Sequence, residues 1–132
     1  MASAPEATGL VTHQSKYTVK DTIGRIESVA RSKGLTIFAN IDQQAEAKKV
    51  NLEMRPTRLL LFGNPRAGTP LMVAAPTISI DLPLKVAAWE DDAGTVWAAY
   101  DSPDFLKDRH HVPERLVPNI SGVRALVEQA LG

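Results

Sequence analysis

The sequence predicts a single α+β domain, a two-layer sandwich of about five mainly antiparallel strands with helices on one side. Three observations predict it. Apolar residues switch repeatedly between a period of two and a period near 3.6, so strands and helices are interspersed along the chain. Leu84–Glu90 and Thr95–Tyr100 flank Asp91-Asp92-Ala93-Gly94, a tight hairpin that demands antiparallel pairing and argues against a doubly wound parallel sheet. The length, 132 residues, suits one domain and leaves little room for a second.

Residues 1–8 are small and polar and read as a frayed, disordered end, leaving 9–132 as the domain. Gly9–Lys16 reads as a first strand. Val19, Ile23, Ile26 and Ala30 recur at helical spacing, with Thr18 as N-cap, Asp21 three residues on, and Gly34 closing the helix. Asp21 with Arg25 and Glu27 with Arg31 are expected i,i+4 ion pairs. Leu35–Ile41 alternates, placing Leu35, Ile37, Ala39 and Ile41 on one face of a half-buried strand. Asp42 caps a short helix over about 43–50. The run Arg58–Phe62 is nearly all apolar and reads as a central strand covered on both faces.

After Gly63-Asn64-Pro65-Arg66-Ala67-Gly68, Thr69 is expected to cap a helix with Pro70 at its first position and Pro76 at its end. An unbulged hairpin puts Ala88 opposite Trp97. Leu84, Val86, Ala88, Trp97 and Ala99 then share one face, and Trp89, Val96, Ala98 and Tyr100 the other. Asp101 or Ser102 caps a helix from Pro103, residues 111–118 form a connector, and Asn119–Leu131 is a last amphipathic helix.

Lys+Arg and Asp+Glu number 15 each, and this zero net charge lacks the broad positive field of a nucleic-acid binder. The absence of cysteine excludes a disulfide framework, thiol catalysis and thiolate metal sites. No apolar run approaches the ~20 residues of a membrane span, and the start MASAPEAT has no signal-peptide character. The expectation is a soluble, cytoplasmic protein with neither a nucleic-acid nor a membrane partner.

The loop Gly63–Thr69 is the most suggestive candidate site. It joins a buried strand to an expected helix start, where amides and Arg66 would suit a phosphate or carboxylate. Gly63 and Gly68 have the spacing of a phosphate-binding P-loop, but Thr69 and Pro70 follow where that motif needs lysine. The plain alternative is a turn whose glycines and proline serve backbone geometry. His110 is a candidate general base with Asp81 or Asp101, or else a cation at a helix C-terminus. His110 and His111 diverge by ~100° on a helix, which makes a poor metal pair. His13 stands alone on a strand, at the surface or edge. Trp89 or Trp97 could line a pocket or an interface.

The stretches FANIDQQAEAKK (Phe38–Lys49), RPTRLLLFGNPRAGTPL (Arg55–Leu71), APTISIDLPLKVAAWE (Ala75–Glu90) and YDSPDFLKDRH (Tyr100–His110) resemble the bacterial and archaeal family called domain of unknown function 302. The resemblance runs from about Gly9 to Leu131. It implies a curved antiparallel sheet with helices packed against it, related to the TATA-binding-protein-like fold, and association as homodimers. Matching family positions are Asn64, Pro65, Gly68, Thr69, Pro70, Asp81, Pro83, Trp89, Arg109 and His110. Arg66 stands where lysine is common, and Gln43 where members often carry histidine, which lowers any metal expectation. Some members carry a camphor-tolerance label, and the family has no settled activity.

Together these readings favour a non-catalytic homodimeric module, for a small anionic or mixed-polarity ligand or for stress tolerance. Asn64, Arg66, Gly68, Thr69, Trp89 and Arg109 are the expected ligand-binding residues, with no cofactor and no metal. The alternatives are a hydrolase or isomerase using His110 with Asp81 or Asp101, metal or haem binding through His110 or Met72, and a protein-interaction or dimerisation module.

Overall fold

A computed structural model describes residues 4–132. Residues 4–8 carry no regular structure, and the first three residues of the expected frayed end lie outside the described part. The strands are β1 (Leu10–Ser15), β2 (Thr36–Asp42), β3 (Thr57–Gly63), β4 (Leu84–Glu90) and β5 (Val96–Asp101). The α-helices are α1 (Val19–Ser32), α2 (Gln43–Lys49), α3 (Pro65–Ala74), α4 (Pro103–His110) and α5 (Val123–Leu131). Two 3₁₀ segments, Pro76–Ile80 and Glu114–Ile120, complete the chain. All strand pairs are antiparallel, in the order β1-β5-β4-β3-β2. The fold is the expected α+β sandwich.

The first helix forms for the reasons its sequence gives. Thr18 accepts the Asp21 amide at 3.1 Å, and Val19, Ile23, Ile26 and Ala30 are all buried. Glu27 meets Arg31 at 3.4 Å. Arg25 instead turns to the chain end, donating to the Ala130 carbonyl at 2.7 Å and lying 4.2 Å over the Tyr17 ring. A partly buried carbonyl and an aromatic face outcompete the exposed Asp21 carboxylate, because a solvated i,i+4 pair contributes little.

One core lies between the sheet and α1 with α5. It holds Leu60, Phe62, Val86, Ala88, Val96, Ala98 and Tyr100 against Ile23, Ile26, Leu126 and Val127. Each such large side chain contributes about 1.5–3 kcal/mol by leaving water. Ser15 at the end of β1 bonds Thr22 of α1 at 2.7 Å, which satisfies both buried hydroxyls. A second, smaller core of Leu71, Ile78, Leu106, Val112 and Ile120 joins α3, α4 and the two 3₁₀ segments.

Five expectations need correction. Trp89 pairs with Trp97 and Ala88 with Ala98, so both tryptophans share a face. The loop contains Thr95 as well as residues 91–94, since the Asp91 amide bonds the Thr95 carbonyl at 2.9 Å and Gly94 takes φ +82°. That one-residue shift exchanges the faces of β5. In β2 an irregularity between Ile37 and Ala39 splits the expected stripe: Ile37 pairs with Phe62 and packs on the core, whereas Ala39 pairs with Leu61.

Strand β3 is covered on one face only, with Leu60 and Phe62 buried but Leu59 and Leu61 half-buried. The helix after it begins at Pro65, not Thr69, because Asn64-Pro65 carries the same cap-plus-proline signal earlier in the chain. The last helix starts at Val123 with Gly122 as its N-cap, since Asn119 and Ile120 belong to the second 3₁₀ segment, where Ile120 is buried in the small core.

Candidate functional site

The sequence Phe62-Gly63-Asn64-Pro65 turns β3 directly into α3. Asn64 stays extended at φ −130° and ψ 115°, and its Oδ1 accepts the Arg66 amide at 3.0 Å. The Asn64 carbonyl takes the amides of Ala67 at 2.9 Å and Gly68 at 2.8 Å. The amides expected to cradle an anion are therefore already bonded within the chain. Arg66 is exposed on the first turn of α3.

A cleft of about 280 Å³ opens at this same corner. Its wall is built from four places: Phe38 on β2, Leu82 to Leu84 before and within β4, the turn and α3 between Gly63 and Met72 except Arg66 and Pro70, and Asn119 at the end of the second 3₁₀ segment. Small residues make the room. A Cβ on Gly63 would sit 3.7 Å from the Phe38 ring, and one on Gly68 would sit 3.8 Å from Leu82 and 4.0 Å from Met72. Asn64, Thr69 and Asn119 are the polar residues of the lining, and no ionisable side chain is among them. Asn119 also donates to the Ala67 carbonyl at 3.0 Å, fastening the second 3₁₀ segment to α3. A mainly apolar recess with a few convergent polar groups is the usual form of a small-molecule site.

A second constellation links the first 3₁₀ segment to α4. Ser102 caps α4, which ends where His111 takes the left-handed conformation at φ 54°. His110, 7% exposed, places Nε2 2.5 Å from Asp81 Oδ2 and Nδ1 2.8 Å from the Thr77 hydroxyl. Arg109 donates to both Asp81 oxygens at 2.9 and 3.2 Å, and Lys85 donates to the Asp81 carbonyl at 3.0 Å. Asp101, the other carboxylate considered for His110, has its carboxyl pushed above the ordinary aspartate value. Burial is the main cause; Asp81 adds to it, while Lys85 and Arg109 pull the other way.

Of the expected ligand-binding residues, the structure brings Asn64, Gly68 and Thr69 together on the cleft. Arg66 lies outside its lining, and Arg109 is paired with Asp81. Trp89 pairs with Thr57 at the opposite end of β3, about five residues or roughly 17 Å of strand from the Leu84 pairing. His13 stacks on Tyr100 at 6.0 Å between ring centres. Met72 lines the cleft, whereas both ring nitrogens of His110 are bonded elsewhere. Among the described residues, no group of three His, Asp or Glu is placed to hold a metal ion.

Sequence reasoning missed Phe38, Asn119, Leu82 and Pro83. The signal for Phe38 was its place as a large apolar residue on the polar side of an alternating strand; it is 52% exposed, at the irregularity of β2. Asn119 gave no signal, because its partner lies 52 residues away.

Comparison with known proteins agrees with this architecture. The family described as "Domain of unknown function DUF302" matches residues 11–131. The crystal structure of an uncharacterised conserved DUF302 protein from Bacillus stearothermophilus superposes with a TM-score of 0.76 at 17% identity, covering 95% of this chain and 97% of that one. Two curated relatives are named fluoride-specific ion channel FluC 1, from Brucella suis biovar 1 and Brucella abortus biovar 1. Each is 44% identical over 102 residues, 77% of this chain. The chain thus spans about two-fifths of their length, 40% and 38%.

Proposed function

The chain belongs to the DUF302 family, and from that premise we propose a ligand-binding module that works as a homodimer, its cleft serving binding and not chemistry. The cleft carries this reading. Its volume, about 280 Å³, suits a compact molecule, and its lining asks for a mainly apolar body with one hydrogen-bonding group for Asn64, Thr69 or Asn119. Of the two ligand classes expected, mixed polarity fits better than a bare anion. The helix amides are bonded to Asn64, and no charged side chain lines the recess.

The test is a thermal-shift and titration screen pairing carboxylate- and phosphate-bearing metabolites with uncharged amides and aromatics of similar size. A genuine ligand at 100 times its Kd stabilises by ~2.7 kcal/mol. Phe38→Ala removes the ring beside Gly63 and is expected to abolish that shift. No stabilisation by any compound, or wild-type binding by Phe38→Ala, refutes the reading.

The curated relatives favour a second role, as an accessory to anion transport under fluoride stress. No helix among the described residues is long and apolar enough to cross a membrane, and the sheet is open with free edges at β1 and β2. In proteins bearing the channel name, helical membrane spans would therefore come from the part this chain does not match. The purified chain, added to liposomes holding such a channel, is expected to change fluoride efflux. Identical efflux with and without it counts against this role.

A further inference from the structure

Thr77, His110 and Asp81 form a continuous hydrogen-bonded chain that the cleft does not use. The Asp81 carboxylate, held by Arg109 on both oxygens, accepts only, so His110 Nε2 is the donor in that contact. In the neutral imidazole Nδ1 is then the acceptor, and the Thr77 hydroxyl must direct its proton to it, at 2.8 Å. This is the connectivity of a hydroxyl nucleophile, a general base and an orienting carboxylate, with the two ring nitrogens exchanged relative to the serine-protease arrangement.

We propose that Thr77 is an activated nucleophile that accepts an acyl group from an activated ester, with His110 as its base and Asp81 as a positioning residue. Packing fixes the geometry. Ile78, next to Thr77, and Leu106, one helical turn before His110, are both buried in the same small core. The base itself is shielded, its side chain 4% exposed, so its contacts with Asp81 and Thr77 are little screened by water. Thr77 is exposed, and an electrophile reaches it from solvent.

In the step, Thr77 Oγ1 forms a bond to the ester carbonyl carbon while its proton passes to His110 Nδ1. The imidazolium so formed is stabilised by Asp81. The carbon–oxygen bond to the leaving alcohol then breaks, and that oxygen takes the proton from Nδ1. The products are acyl-Thr77, the free alcohol and neutral His110, with no further reactant.

The experiment treats the full chain with p-nitrophenyl acetate and maps the adduct by intact-mass and peptide mass spectrometry. The expected result is one acetyl group on Thr77, retained in Thr77→Ser and absent in Thr77→Val, which keeps the side-chain shape and removes the hydroxyl bonded to His110. His110→Gln is expected to slow acylation about a hundredfold or more. Acetyl found only on lysines or the amino terminus, or Thr77 acylated equally fast in His110→Gln, overturns the proposal. A structural latch alone would produce either of those results. Loss of cleft binding in Phe38→Ala with Thr77 labelling intact separates this activity from the ligand-binding reading.

Discussion

The indole N–H of Trp97 donates to Asp91 Oδ2 at 2.9 Å, tying the hairpin turn to the strand that leaves it. Asp91 Oδ1 meanwhile accepts the amides of Ala93 at 3.0 Å and Thr95 at 2.9 Å. One side chain thereby organises the loop that sets the β4–β5 register.

Those contacts, the Trp97 bond foremost, hold the Asp91 carboxyl below the ordinary aspartate value. A carboxylate lowered in the folded state contributes stability above its unfolded value, and that contribution is lost as pH falls through the folded value. The wild-type Tm is therefore expected to fall more steeply than that of Asp91→Asn on acidification below about pH 4. At neutral pH the variant should be the less stable of the two. Parallel acid titrations of Tm for the two proteins would contradict the assignment.

The shared face of Trp89 and Trp97 bears on assembly. Leu59, Leu61, Ala87 and Trp89 lie half-buried on the side of the sheet opposite the α1–α5 core. Apolar area of this kind favours self-association. Ala87→Arg should shift a dimer to monomer in sedimentation velocity while leaving the far-ultraviolet circular dichroism unchanged. A wild-type chain that is monomeric at high concentration, or a variant that remains dimeric, removes this face from consideration.

How far the sequence discloses the fold depends on the range of the interaction concerned. Thr18, Val19, Ile23, Ile26 and Ala30 specify α1 through contacts within a few residues, and α1 forms where its pattern puts it. The face of Trp97 depends on whether Thr95 belongs to the loop, a single-residue question that alternation cannot answer. Asn64-Pro65 and Thr69-Pro70 are equivalent cap signals on paper. The first prevails because its helix lets Leu71 reach the small core with Ile78 and Leu106. The His110–Asp81 contact was open to anticipation as one of two carboxylate choices. The Thr77 partner, 33 residues away, was not, since nothing local marks an exposed threonine.

Asn64 stabilises the turn that frames the cleft. Asn64→Ala removes the acceptor for the Arg66 amide and is expected to cost ~1 kcal/mol, within the 0.5–2 kcal/mol of lost N-caps. Denaturant unfolding measures it, and a midpoint unchanged from wild type would mean that the cap contributes nothing.

Gly68 poses the opposite balance. It sits inside α3, where glycine is ~0.5–1 kcal/mol worse than alanine, and an added Cβ meets only ordinary contacts with Leu82 and Met72. Gly68→Ala should therefore raise Tm. The same methyl enters the cleft between those two side chains, so a ligand that fills the recess must lose contacts or be excluded. Stability and affinity are expected to move in opposite directions, which a general loosening of the fold would not produce. A variant that gains stability and keeps full affinity would mean that the ligand does not reach the part of the cleft bounded by Leu82 and Met72.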